Sequence, residues 1–205
     1  LSRQDGVNSM TSTFGDLGTA VAGISLAVKG EEYLDTRPAV FIFNHQSTAD
    51  MLIAAKLIRH DVVGVAKKEL RNVPILGQMM QAGGVIFLDR SDREKAIEAM
   101  QPAIEALRNG TSVIIFPEGT RSNGYKLGKF KKGAFHLAMG AGVPIVPIIL
   151  KNAHDAMPND SAVFRPTLVK VVVLPPVETT GWEKKGLDQH ILNVRQLYLK
   201  ELDQG

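Results

Sequence analysis

A chain of 205 residues, 44% hydrophobic and 22% charged, can bury a full single-domain core and is not a disordered segment. It contains no cysteine, which excludes disulfides, thiolate catalysis and zinc sites built on cysteine. Its formal net charge of +3 suits anionic substrates or an anionic membrane face, and is too small and diffuse to indicate nucleic acid.

The chain begins at Leu1 without an initiator methionine and is expected to be a piece of a longer protein. No signal-peptide pattern is present, since Arg3 and Asp5 are followed by polar residues. Residues 1–30 read as a helical segment. Its uncharged apolar stretch, Leu17 to Val28, has 12 residues, short of the roughly 18 that a spanning helix needs. It reads either as a buried helix or as an interfacial helix that docks on a membrane.

Residues 31–205 alternate apolar runs with helical patterns. Strands are expected at Ala39–Phe43, Val62–Ala66, Gly84–Leu88, Ser112–Phe116, Pro144–Leu150 and Leu168–Leu174. Helices are expected at Ala49–Arg59, Arg93–Arg108, Gly133–Ala141 and Asp188–Leu202. Asp92 is the expected N-cap of the second helix and Asn109-Gly110 its stop. The alternation predicts an α/β fold, a single domain with a mixed, mostly parallel sheet flanked by helices, whose strand-end loops gather on one edge.

Two of those loops carry chemistry. Asn44-His45-Gln46-Ser47-Thr48-Ala49-Asp50 follows the first strand of this series. If the turn brings His45 and Asp50 together, the carboxylate fixes one imidazole nitrogen as donor and leaves the other to accept a proton from a substrate hydroxyl. This is the orienting half of a Ser-His-Asp triad with the substrate supplying the hydroxyl. The competing reading has Asp50 as a helix N-terminal charge and His45 as a polar strand-end residue. Phe116-Pro117-Glu118-Gly119-Thr120-Arg121-Ser122 follows another strand. Arg121 offers a planar fork of donors that matches a phosphate, Gly119 admits close backbone approach, and Thr120 adds a hydroxyl. Arg90 and Lys67 follow two further strands, so that three strand-end cations converge beside one histidine. Glu118 would fix the arginine fork or bond a substrate hydroxyl, or else form a surface ion pair with Arg121.

The segment Tyr125 to Lys132 interleaves Lys126, Lys129, Lys131 and Lys132 with two aromatics. It reads as a solvated loop or as a basic lip for anionic lipid or carrier phosphates. Val143-Pro144-Ile145-Val146-Pro147-Ile148 reads as a strand edge or bend, because proline lacks a ladder donor. Gly23-Ile24-Ser25-Leu26-Ala27 lacks the last glycine of a serine-hydrolase elbow, and no Gly-x4-Gly-Lys-Ser/Thr phosphate loop or His-Glu-x2-His metal motif occurs.

Taken in order, these blocks resemble the 1-acylglycerol-3-phosphate acyltransferases of the PlsC type, among the glycerolipid acyltransferases. The resemblance covers roughly residues 30–180. It implies an acyltransferase domain over residues 31–205; residues 1–30 lie outside it, are less apolar than the membrane-docking helices of many members, and are expected as an N-terminal helical segment that is either buried or membrane-docking. It implies His45 and Asp50 as the catalytic pair, and Lys67, Arg90, Glu118, Gly119, Thr120 and Arg121 as acceptor-binding residues, with Val143 to Ile148 near the acyl site. The implied reaction moves a fatty acyl group from an acyl-thioester, acyl-CoA or acyl carrier protein, to lysophosphatidic acid, giving phosphatidic acid. Neither a metal nor a resident cofactor is implied. The implied partners are lysophosphatidic acid, acyl-CoA and an anionic membrane surface, not nucleic acid, and the implied location is peripheral, on the cytoplasmic face of a membrane. Glycerol-3-phosphate or another lysophospholipid is an alternative acceptor, and a non-catalytic lipid-phosphate binding domain is the alternative of another class.

Overall fold

The computed structural model describes residues 3–74, 76–88, 100–122 and 124–203. Among the described residues seven strands form one sheet. They are β1 (Ile24–Lys29), β2 (Val40–Phe43), β3 (Val62–Lys67), β4 (Ile86–Leu88), β5 (Ser112–Ile115), β6 (Ile145–Leu150) and β7 (Thr167–Val173), in spatial order β1-β7-β6-β2-β5-β3-β4. Among the described strand pairs only β6 and β7 are antiparallel, so the mixed, mostly parallel sheet expected from the alternation is present. The consequence for the site is that β2 to β6 all end on the same edge, while β7 and β1 begin there.

The period-2 alternation of β2 sorts the core onto two faces. Phe41 and Phe43 pack with Ile53 and Ala54 of α2 (Asp50–Leu57) on one side. Val40 and Ile42 pack on the other side with helices met later in the chain. These are α4 (Gln101–Arg108), α5 (Gly133–Ala141) and α7 (Leu187–Asp203), which contribute Leu107, Phe135 and Tyr198. Both faces are covered, as a parallel sheet requires. The other α-helices among the described residues are α1 (Arg3–Val21), α3 (Leu76–Ala82) and the short α6 (Ala153–Ala156).

Helix α1 lies antiparallel against α2. Asn8 near its start exchanges hydrogen bonds with Asp61 beyond the end of α2. Further along, Gly15 faces the backbone of Ala55 and Lys56, and Gly18 faces Leu52. The C-terminal end of α1 therefore reaches the N-terminal end of α2, on the edge where β2 stops.

Three expectations need correction. The apolar stretch Leu17 to Val28 is not one helix, because it is divided between the end of α1 and strand β1, which pairs along β7. Gly23, with φ 68°, makes the break, and alternating exposure along Ile24–Lys29 marks a one-sided edge strand. Strand β6 is not at an edge. It is buried along its whole length between β7 and β2. Pro147 is tolerated because the β6–β7 ladder shifts by one residue between the pairs Ile148–Val173 and Ile145–Val177. The Pro147 carbonyl still accepts from Leu174 at 2.9 Å. Helix α3 was not expected, since Leu76–Ala82 is too short for a periodic signal. Asp92 and residues 93–99 of the expected long helix lie outside the described residues. Its C-terminal part is present, and Gly110, with φ 89°, follows the Asn109 cap.

The α1–α2 contact overrides helix propensity in a testable way. A Cβ on Gly15 would lie 2.4 Å from the Lys56 nitrogen, whereas one on Gly6 meets nothing within 4 Å. Gly6→Ala is expected to stabilise the fold by up to about 1 kcal/mol. Gly15→Ala is expected to destabilise it by roughly 1–3 kcal/mol through overpacking. Urea denaturation of the two variants measures both; equal effects of the same sign would contradict the close packing.

Candidate active site

Strands β2 and β5 are neighbours, yet the chain leaving β2 crosses one face of the sheet as α2 while α5, which follows β5, lies on the other. Connections that diverge in this way open a crevice at the strand ends. The two motif loops occupy it.

At the end of β2 the buried Asn44 side chain clamps the end of β6. Its Nδ2 donates to the Leu150 carbonyl at 2.9 Å and its Oδ1 accepts from the Leu150 N–H at 2.7 Å. The chain then turns through His45 to Ser47 and enters α2 at Asp50. The expected pair forms: His45 Nδ1 lies 2.7 Å from Asp50 Oδ2. The same oxygen accepts the backbone N–H groups of Gln46 at 2.7 Å and Ser47 at 2.9 Å. Asp50 has no exposed surface. Burial pushes its carboxyl upward from the ordinary value, while the His45, Ser47 and Gln46 donors and the His45 charge oppose that shift. With Nδ1–H donating to Asp50, the imidazole presents Nε2 as its acceptor. The ring rests on Phe116 at a centroid distance of 4.4 Å, and the His45 side chain keeps 18% exposure.

At the end of β5 the chain makes a tight turn in which Gly119 N–H donates to the Phe116 carbonyl at 3.0 Å. Pro117 presets the second position, and Gly119 supplies the positive φ of 74°. The turn drives Glu118 inward. Its Oε1 accepts the His45 backbone N–H and its Oε2 the Gly128 N–H, both at 2.7 Å. Burial pushes this carboxyl upward too, against the pull of the two amides. A Cβ on residue 128 would lie 2.5 Å from Glu118 Oε2, so glycine is required for the approach. The Ser122 N–H completes the tie by donating to the His45 carbonyl at 2.7 Å.

Glu118 is thus a brace on the backbone of His45, with both carboxylate oxygens engaged by main-chain amides. Its hydrogen-bond partners are these amides, and the Arg121 guanidinium is held by Thr48 instead. Arg121 is exposed, and its Nη1 donates to Thr48 Oγ1 at 2.7 Å, which places the guanidinium over the His45–Asp50 turn. Thr120 is exposed beside it. Lys67 is exposed at the end of β3, one strand beyond β5, about 10 Å across the sheet from β2. Arg90 lies outside the described residues.

Sequence reasoning missed Asn44, Thr48 and Gly128 as supports of the site, although Asn44 and Thr48 lie inside the His45 motif. It also missed the segment that follows β6. Ser47 Oγ donates to the Met157 carbonyl at 2.7 Å, and Asn159 Nδ2 donates to the Ser122 carbonyl at 2.7 Å. No local pattern marks residues 157–159, because their role is to close the crevice from a distant part of the chain. The lysine-rich segment is not a free loop: Leu127 and Phe130 are buried in the core, and Lys132 is paired with Asp188 at 2.6 Å.

A family model described as Acyltransferase matches residues 25–151. The 1-acyl-sn-glycerol-3-phosphate acyltransferase of Limnanthes douglasii is 36% identical over 189 residues, which are 92% of this chain and 67% of that protein. The protein of the same name from Saccharomyces cerevisiae is 37% identical over 176 residues, 84% of this chain and 58% of its own length. The chain therefore spans about three fifths to two thirds of these relatives. The crystal structure of the 1-acyl-sn-glycerophosphate (LPA) acyltransferase PlsC from Thermotoga maritima matches with a TM-score of 0.81 at 27% identity, over 96% of this chain and 78% of that one. The matched family segment runs from β1 to the residue after β6 and contains both strand-end loops, and the chain belongs to the Acyltransferase family.

Proposed function

We propose that the chain transfers a fatty acyl group from an acyl-thioester to the free hydroxyl of lysophosphatidic acid, forming phosphatidic acid, as a peripheral protein on the cytoplasmic face of a membrane. The observation that carries the reading is the 2.7 Å His45–Asp50 contact at the mouth of the crevice, with the exposed Arg121 held above it by Thr48. The names of the relatives supply the acceptor.

In this reaction His45 Nε2 takes the proton of the acceptor hydroxyl as its oxygen attacks the thioester carbonyl carbon. Asp50 holds the tautomer and stabilises the imidazolium that forms. The tetrahedral adduct collapses with cleavage of the C–S bond, and the imidazolium returns its proton to the departing thiolate. The acyl group passes directly to the acceptor, so no protein nucleophile enters. The Arg121 fork and Lys67 hold the acceptor phosphate by charge-assisted bonds. Acyl-CoA or acyl carrier protein serves as a co-substrate.

An acyl-transfer assay over a panel of lysophosphatidic acid, glycerol-3-phosphate and other lysophospholipids tests the reading; absence of transfer to any of them overturns it. His45→Ala is expected to lower kcat by about 10²–10⁴-fold with the fold intact. Asp50→Asn is expected to be similarly severe, because a neutral amide replaces the charge that three donors address. Wild-type turnover in a folded His45→Ala protein would remove the mechanism.

Arg121→Ala is expected to raise the KM for lysophosphatidic acid by roughly 10–100-fold, the loss of a charge-assisted contact. A rise confined to the acyl-donor KM would reassign the guanidinium to the carrier's phosphates.

Glu118→Gln separates a brace from an acceptor ligand. The amide group would face a backbone N–H in place of an acceptor, so kcat is expected to fall about tenfold or more through displacement of His45. The acceptor KM should stay close to the wild-type value. A raised acceptor KM with unchanged kcat would place Glu118 on the substrate.

A further inference from the structure

The catalytic edge carries an apolar rim that the crevice itself does not use. The C-terminal turn of α1 exposes Leu17 at 62% and Val21 at 81%, although α1 packs its other side on α2. Met51, in the first turn of α2 beside Asp50, is 40% exposed. On the segment between α6 and β7, Val163 is 67% and Phe164 36% exposed.

These residues are joined by backbone contacts. The Thr167 N–H donates to the Gly23 carbonyl at 3.1 Å, and a Cβ on Gly23 would meet Pro166 at 3.1 Å. The segment carrying Val163 and Phe164 thus abuts the turn that follows Val21. Its earlier part reaches the reaction centre through Met157 to Ser47 and Asn159 to Ser122. The exposure does not come from a loose loop. The Arg165 N–H donates to the Ala156 carbonyl at 2.8 Å, Ser161 N–H to Pro158 at 3.0 Å, and Ser161 Oγ bonds both the N–H and the carbonyl of Val163. Five hydrogen-bonded positions hold two large apolar side chains out in water beside the exposed Arg165.

We infer that residues 157–166 and the C-terminal end of α1 together form a bilayer-docking surface, with Val21, Val163 and Phe164 entering the lipid and Arg165 at the phosphate level. This rests on the reading of the acceptor as a membrane lipid. A few apolar side chains flanked by a cation suffice for shallow insertion. Among the described residues no helix is long and apolar enough to cross a membrane, so the attachment made by this surface is peripheral. It also differs from docking by the N-terminal segment of residues 1–30 alone, because Ile24–Lys29 is committed to the sheet.

The test uses the 205-residue chain and the double variant Val163→Asp, Phe164→Asp, both on exposed positions. Co-sedimentation is measured with vesicles of phosphatidylcholine and phosphatidylglycerol. Acyl transfer is measured separately on short-chain lysophosphatidic acid below its micellar concentration, and melting temperature reports the fold. The expected result is a drop in vesicle partition of roughly tenfold or more, with soluble-substrate turnover and melting temperature close to wild type. Unchanged vesicle binding by the variant overturns the proposal, as does a wild-type chain that binds no vesicles. A wild-type dimer that the variant dissociates, without vesicle binding, assigns the surface to a second copy and also overturns it. Loop-dependent vesicle binding by a wild-type protein that transfers no acyl group supports the docking surface and removes the acyl-transfer reading instead.

Discussion

A fully buried carboxylate is stable as an anion only where donors replace the water it has lost. Asp50 meets that condition at Oδ2 alone, which receives the His45 imidazole and the main-chain N–H groups of Gln46 and Ser47, while its buried Oδ1 has no partner among the described residues. Three donors on one atom fix the conformation of the whole turn between β2 and α2. They also dictate which face of His45 is left for chemistry. A second buried carboxylate, Glu118, takes the His45 backbone N–H from the neighbouring strand end. The histidine is consequently held by its ring through one acid and by its main chain through the other. The two acids follow different strands, Asp50 after β2 and Glu118 after β5, so the site exists only if β2 and β5 are adjacent and in register.

The sheet supplies that register. Val40 pairs with Val113 on one side and with Ile145 on the other, so Ile42 lies opposite Ile115 at the end of β5 and Phe43 opposite Ile148, with β6 running on to Leu150. Asn44 and Tyr198 secure the same arrangement from above and within: Asn44 clamps Leu150, and the buried Tyr198 hydroxyl donates to the Ile42 carbonyl at 2.6 Å while accepting from the Ile148 N–H. A tyrosine near the C-terminal end thereby supports a strand near the start of the domain. Burial pushes the Tyr198 phenol well above its ordinary value, so it serves as a neutral donor and acceptor.

The catalytic edge is chemically asymmetric. Toward α1 and residues 157–166 it is apolar. Toward Tyr125–Lys132 it is cationic, with Lys126, Lys129 and Lys131 exposed around the buried anchors Leu127 and Phe130. The turn that carries His45 lies between them, bonded to Glu118 on one side and through Ser47 to Met157 on the other.

What the sequence determined by itself was local. Six of the seven strands, four of the helices and the His45-x4-Asp50 pair follow from periodicity and short-range spacing, because each signal lies within one element and its adjoining turn. Tertiary structure decided the rest. It divided Leu17–Val28 between a helix and an edge strand, since only pairing with β7, more than a hundred residues away, makes Ile24–Lys29 a strand. It placed Pro147 in the interior, since the one-residue ladder shift that admits proline belongs to the partner strand. It made Glu118 a brace on the His45 backbone, because the amides of His45 and Gly128 converge on it only after β2 and β5 pair. Residue type and spacing specify which groups are available for chemistry; the directions in which they point depend on contacts whose partners lie far along the chain.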